Sequence, residues 1–310
     1  MKKVCCVGIA VADVVASPIN VMPDKGKLVL VDSIRMVTGG CAVNAGIDLA
    51  KMGIDTSVCS LIGEDAFGDF IVNELKRWGV NISGIVRSSR SATSSSIVIS
   101  DGDGERSFLH TIGANGVFSI SDINWEMVHQ SDIVFVGGAL LMPQFDGEET
   151  KAFLKKVKSF GKITILDTAW DSTGRWMTLI EGCLPYVDYF MPSLEEATML
   201  SGETEPQKMV TIFKEKGAKN VVIKMGEAGC YVAADGEVFE QPIYKVPVID
   251  TNGAGDAFIA GFIAGLAQGY DIRASVLYGS AVGAYCVGAV GASSWEVSKE
   301  AIEDFIAIHD

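Results

Sequence analysis

The feature that most constrains this chain is an alternation. Short apolar, β-branched runs take turns with segments of helical spacing. "KVCCVGIA" reads as a strand and "AVNAGIDLAKMG" as a helix closed by Gly53. "DTSVCSLIG" is a strand, and "DAFGDFIVNELKRWG" a helix again closed by glycine. The rhythm returns with "SDIVFVGGA", "GEETKAFLKKVKSFG", "KITILDTA", "PQKMVTIFKEKGA" and "KNVVIKMG". Strands that are apolar throughout must be covered on both faces, so this order predicts an α/β fold with a mainly parallel sheet between helical layers.

Two segments break the rhythm. "KGKLVLVDSIRMVTG" and "TSSSIVISDGDGERSFLHTIGAN" alternate apolar with polar residues and lack an intervening helix, and "DGDGE" supplies a turn. They predict antiparallel strands solvated on one face, forming a small sheet over the main one. No repeat or linker separates them from the rest. The expected lid, from about 12–37 and 90–112, is therefore an insertion within one domain of 310 residues.

Composition removes several classes. The net charge of −14, from 39 acids against 25 bases, argues against a nucleic-acid binder but permits a local site for a small anion. Seven cysteines, odd in number and scattered without a CxxC, read as buried free thiols in a reducing, cytoplasmic setting. With three histidines, none beside a cysteine pair, a zinc site is disfavoured. The start "MKKVCCVGIAVADVV" mimics a signal peptide, but Asp13 interrupts it and no cleavage site follows, so it reads as a buried first strand. No apolar run is long and clean enough to span a membrane.

The stretch "DTNGAGDAFIAGF", Asp250 to Phe262, carries the chemistry. Small residues admit a close ligand, and the first turn of a helix offers unpaired amides at its positive end. An acid at that rim repels a resting anion. It makes sense as a base taking a proton from a nucleophile that attacks phosphorus, or else as an ordinary helix-starting acid. A P-loop is disfavoured because GxxxxGK[ST] is absent, and "GAGDAF" is not GxGxxG.

The same stretch resembles the C-terminal signature DTxGAGDxF of the PfkB, or ribokinase-like, family of carbohydrate kinases. "TGGCAVNAGIDLAKMG" resembles its N-terminal signature. "VCSLIGEDAFGDFI", "DGDGERSFLHTIGAN", "PSLEEATMLSG" and "VVIKMGEAGCYV" follow in the family's order, so the likeness covers essentially the whole chain. It implies a Rossmann-like α/β/α core with a small β-sheet lid. It also implies transfer of the ATP γ-phosphoryl group to a hydroxyl of a small ketose or pentose, with Mg²⁺. A nucleoside kinase, for which Phe108 and Trp170 are the candidate aromatics, and a non-catalytic sugar-binding or nucleotide-binding protein stay open.

The resemblance assigns roles residue by residue. Asp256 is the catalytic base, and Gly253, Ala254 and Gly255 form the anion hole. Asp13, expected at the end of the first strand, binds sugar hydroxyls together with Gly39, Gly40 and Asn44. Phe108 and His110 share parity on a lid strand facing the sugar. Lys224 and Gly226 contact ATP phosphates, and Ser280 flanks the adenine. Glu196 orients Mg²⁺ through water, with Ser193 standing where the family usually has Asn. Asp250, with carbonyls near Asn252 and the Gly291 loop, is the candidate holder of K⁺ or Na⁺. In "LDTAWDSTGRW", Asp167 fits the family's DPN.R motif, but its Asn is missing and Arg175 lies too far along, which counts against a ketodeoxygluconate kinase. A phosphosugar kinase would need Arg35, Arg87 or Arg106 to reach the sugar. Open edges of the lid predict a homodimer through it.

Overall fold

The computed structural model describes residues 1–19, 21–100, 106–289, 291–293, 295 and 298–309. The strands are β1 (Val4–Gly8), β2 (Val11–Ser17), β3 (Ser33–Gly39), β4 (Thr56–Gly63), β5 (Asn81–Ser88), β6 (Ser95–Ser100), β7 (Arg106–Thr111), β8 (Ile133–Ala139), β9 (Ile163–Thr168), β10 (Tyr189–Phe190), β11 (Asn220–Lys224), β12 (Cys230–Ala234) and β13 (Glu237–Gln241). The helices are α1 (Cys41–Lys51), α2 (Ala66–Arg77), α3 (Trp125–Gln130), α4 (Glu148–Ser159), α5 (Met177–Ile180), α6 (Leu194–Ser201), α7 (Pro206–Glu215), α8 (Ala254–Gln268), α9 (Ile272–Val287) and α10 (Lys299–His309).

Nine strands form one sheet in the order β13-β12-β11-β10-β9-β8-β1-β4-β5. From β11 to β5 every neighbour pair is parallel, and β12 and β13 close one edge antiparallel. β1 shows why both faces are covered. Val4 and Cys6 pack under α1, α2, α8, α9 and α10, while Cys5 and Val7 pack under α3, α4, α6 and α7. Each such fully buried aliphatic side chain contributes about 1.5–3 kcal/mol relative to exposure. Among the described residues no helix is long and apolar enough to cross a membrane.

The chain runs from β1 outward through β4 to β5, then returns to place β8 on the other side of β1. The strand order reverses there, and the carboxyl ends of β1 and β8 open a crevice of the kind that open α/β sheets use for ligands. β2, β3, β6 and β7 form a separate four-stranded sheet in the order β3-β2-β6-β7. The expected Asp-Gly turn at 101–105 lies outside the described residues.

Two expectations need correction. The apolar run at 25–32 was read as part of a strand, but regular pairing begins only at Ser33. Asp13 does not end the first strand. β1 stops at Gly8, Ile9 N donates to Gly137 O, and Ala10 N donates to Asn115 Oδ1. The chain then leaves the main sheet, so Asp13 sits inside β2 on the second sheet. The apolar run from Val4 to Ala12 hid this break.

Candidate active site

Gly253 precedes α8 in the left-handed region, at φ 79°. A Cβ there would lie 2.5 Å from the Cα of Ala292, so only glycine lets the loop after α9 close against the start of α8. Asp256 follows in the first turn of α8. Asn44 of α1 donates from Nδ2 to Asp256 Oδ2 at 2.8 Å, and the thiol of Cys41, first residue of α1, hydrogen-bonds the same carboxyl group. Burial raises the Asp256 carboxyl above the ordinary aspartate value, while Asn44, Lys224 and Cys41 pull it back down.

Lys224, at the end of β11, reaches Asp167, near the end of β9, at 2.7 Å. Burial works against the lysine charge, but Asp167, Glu196 and Asp256 outweigh it and raise its pKa. Asp167 is itself pushed up to about 7, chiefly by burial, against the pull of Lys224. Lys224 is thus no ordinary surface lysine: its ammonium lies 3.6 Å from where a Cβ on Gly255 would stand. One cation is shared among three carboxylates at the carboxyl ends of the central strands.

Glu196 joins this group through α6. Its Oε2 accepts from Ser193 N at 2.9 Å and from Thr168 Oγ1 at 2.9 Å, and Ser193 Oγ accepts from Glu196 N at 3.2 Å. Ser193 therefore serves as a helix cap, in a reciprocal capping box. Among the described residues the side-chain hydrogen bonds of Glu196 fall on Oε2, so Oε1 could hold a hydrated cation.

On the other side of α1, a Cβ at Gly39 would collide with Asp13 Oδ2, so the glycine admits the carboxylate. Asp13 stands in register with Ser96 of β6, which stands in register with His110 of β7. Ser96 Oγ and His110 Nδ1 are 3.1 Å apart. Partial burial lowers the His110 pKa and the Asp13 charge raises it, burial being the stronger. Phe108 shares this face two residues away but is 56% exposed.

Other expected residues stand apart from this cluster. Asp250 is buried and accepts from Asn252 N at 2.7 Å and from Gly291 N at 2.8 Å, tying the loop before α8 to the loop after α9. Gly226 is exposed in the turn after β11, and Ser280 is buried in α9. Trp170 is exposed and meets Trp176 edge-on.

Sequence reasoning missed two groups. Cys41 was counted among the buried thiols, yet it is partly exposed beside the candidate base. Lys51, at the end of α1, was not singled out in the sequence. It is buried against Asp48 at 3.1 Å, donates to the carbonyls of Ser293 and Trp295 at 2.6 and 2.7 Å, and lies 4.8 Å from the ring centres of both Trp78 and Trp295. It locks α1 to the loop that packs on Gly253. Carbonyl partners from a distant loop leave no trace in local sequence.

Comparison with known proteins gives the same reading. The family model described as pfkB family carbohydrate kinase matches residues 1–299. The chain is 26% identical over 297 residues to 2-dehydro-3-deoxygluconokinase of Bacillus subtilis, covering 92% of this chain and 91% of that one. It is 31% identical over 262 residues to fructoselysine 6-kinase of Escherichia coli, covering 83% and 92%. The structure of Arabidopsis thaliana ribokinase complexed with ribose and ATP superposes with a TM-score of 0.84 at 25% identity, covering 98% of each chain. An acid on the first turn of a glycine-led helix, facing a lysine and two further carboxylates at a switch point, thus sits in a chain that belongs to the PfkB family of carbohydrate kinases.

Proposed function

We propose that this protein transfers the γ-phosphoryl group of ATP to a hydroxyl of a small ketose or pentose, with Asp256 as the general base. The observation that carries this reading is the placement of Asp256. Its carboxyl group is at the positive end of α8, raised by burial above the ordinary aspartate value, and oriented by Asn44. As attack proceeds, the sugar hydroxyl gives its proton to Asp256. The amides of Gly253, Ala254, Gly255 and Asp256 meet the charge that develops on the transferring phosphoryl group.

Asp13, Gly39, Gly40 and Asn44 hold the sugar from below, and His110, with Phe108, meets it from the second sheet, which acts as the lid. Asn44 Oδ1 is buried without a hydrogen-bond partner among the described residues, which fits an acceptor awaiting a sugar hydroxyl. Lys224 and Gly226 take the ATP phosphates, and Ser280 lies beside the adenine. Mg²⁺, held through water by Glu196, would neutralise phosphate charge. K⁺ or Na⁺ would rest against Asp250 and neighbouring carbonyls.

The test is a coupled ATP-consumption assay over a panel of ketoses, pentoses, sugar acids and nucleosides, with Mg²⁺ and with K⁺ or Na⁺. We expect turnover of one sugar, and a loss of roughly 10²–10⁴ in kcat for Asp256→Asn. Turnover of a sugar by Asp256→Asn at the wild-type rate would falsify the assignment of the base.

A further inference from the structure

We infer that Cys41, Asp167 and Asp256, with the amide oxygen of Asn44, form a binding site for a soft divalent cation of the Zn²⁺ class, and that the bound ion blocks the active site. The three side chains come from three elements, α1, β9 and α8. Their ligand atoms, one sulfur and two carboxylate oxygens, all lie within 4.8 Å of one another. Tetrahedral zinc with bonds of about 2.0–2.3 Å places an oxygen pair about 3.3 Å apart and a sulfur–oxygen pair about 3.5 Å apart, so closure needs a contraction of up to about 1.5 Å. The Cys41 thiol already faces Asp256, with which it shares a hydrogen bond.

A second observation points to the same place. Asn44 is 3% exposed, and its Oδ1 has no hydrogen-bond partner among the described residues. Its Nδ2 is fixed 2.8 Å from Asp256 Oδ2, which keeps the amide, with its unsatisfied oxygen, next to the cluster. Charge favours a cation as well. Asp167, Glu196 and Asp256 share a single ammonium, that of Lys224, which occupies one oxygen of Asp167 and leaves the other.

The donor set selects the metal. Two carboxylates and an amide oxygen alone would suit Mg²⁺ or Ca²⁺, but a thiolate shifts the preference to Zn²⁺ and Cd²⁺. The ligands differ from the water-mediated Mg²⁺ position proposed at Glu196, although Glu196 and Asp167 act on the same ammonium. Burial and the two aspartates hold the Cys41 proton tightly in the metal-free protein. On binding, the sulfur–metal bond forms as the S–H bond breaks, and the proton passes to solvent. The ion takes the Asp256 oxygen and the Asn44 oxygen that the sugar hydroxyl would use. This blocking effect rests on the proposed kinase function, whereas metal binding does not.

The test is titration of the full chain, without ATP, with Zn²⁺ by calorimetry and with Cd²⁺ by ultraviolet absorption. We expect one ion per chain, a cadmium–thiolate absorption band, and release of about one proton per ion, read from the dependence of the heat on buffer ionisation. Cys41→Ala should bind at least tenfold more weakly and lose the band, with Cys41→Ser as the isosteric check on folding. A wild-type chain that shows no cadmium–thiolate band, or a Cys41→Ala variant that keeps the wild-type affinity, overturns the site. Binding without loss of sugar turnover overturns the blocking role.

Discussion

Two influences compete at Asp256. Burial favours the protonated carboxyl group, and the hydrogen bond from Asn44 favours the carboxylate. The proposed reaction needs the carboxylate, so the acidic limb of the kcat/KM profile should report its proton. Removing the Asn44 donor leaves burial less opposed and raises the Asp256 pKa. Asn44→Ala should therefore move that limb to higher pH and lower kcat/KM at neutral pH by about 10- to 100-fold, the loss of one hydrogen bond to a charged group. Asn44 would also touch the sugar, but loss of a sugar contact alone lowers kcat/KM evenly across pH. A limb that stays in place would show that Asn44 only binds substrate. The pairing was half legible. Both signatures were readable in the chain, but Asn44 and Asp256, 212 positions apart, gave no hint that the two side chains touch.

Among the elements, α6 shows how a departure from a family pattern can be read. Ser193 stands where Asn is usual, and sequence alone left open what that costs. The serine closes both ends of a capping box with Glu196, satisfying two amides at the start of α6. It also bridges to Lys224 at the end of β11, so the cap lies beside the lysine proposed to meet the ATP phosphates. Ser193→Ala should cost about 1 kcal/mol, measured by the midpoint of denaturant unfolding, whereas Ser193→Asn should stay within a few tenths, since Asn caps as well as Ser. An alanine variant as stable as wild type would mean that the box is not what holds α6 at the site. Other elements were legible because their signals are local. Asp65, as the N-cap of α2, accepts from Gly68 N, and β4 is buried along its whole length. The two-residue β10 and the break between β1 and β2 were not, because pairing with distant strands defines them.

For the whole molecule, the alternation of strands and helices foretold a covered parallel sheet, but not the strand order that puts the crevice between β1 and β8. Nor did it give the register of the second sheet, and that register sorts its two faces. One carries Asp13, Ser96 and His110 toward the site. The other aligns Met36, Val14, Ile97 and Leu109 in one row across all four strands. Met36, Ile97 and Leu109 are 40%, 50% and 64% exposed, and Ile34 on the next row is 69% exposed. An apolar row of this kind, on a sheet whose outer strands β3 and β7 have open edges, is suited to a second copy of itself. We propose a homodimer through this sheet, which would bury the row and brace the strands that cover the sugar. Sedimentation should find a dimer at micromolar concentration, and Ile97→Glu combined with Leu109→Glu should give a monomer. Neither residue shares the face of His110, so a direct effect on sugar contacts is excluded by register. Any rise in KM of the monomer would report loss of bracing. A wild-type chain that sediments as a monomer at micromolar concentration refutes the dimer, and the exposed row would then need another explanation.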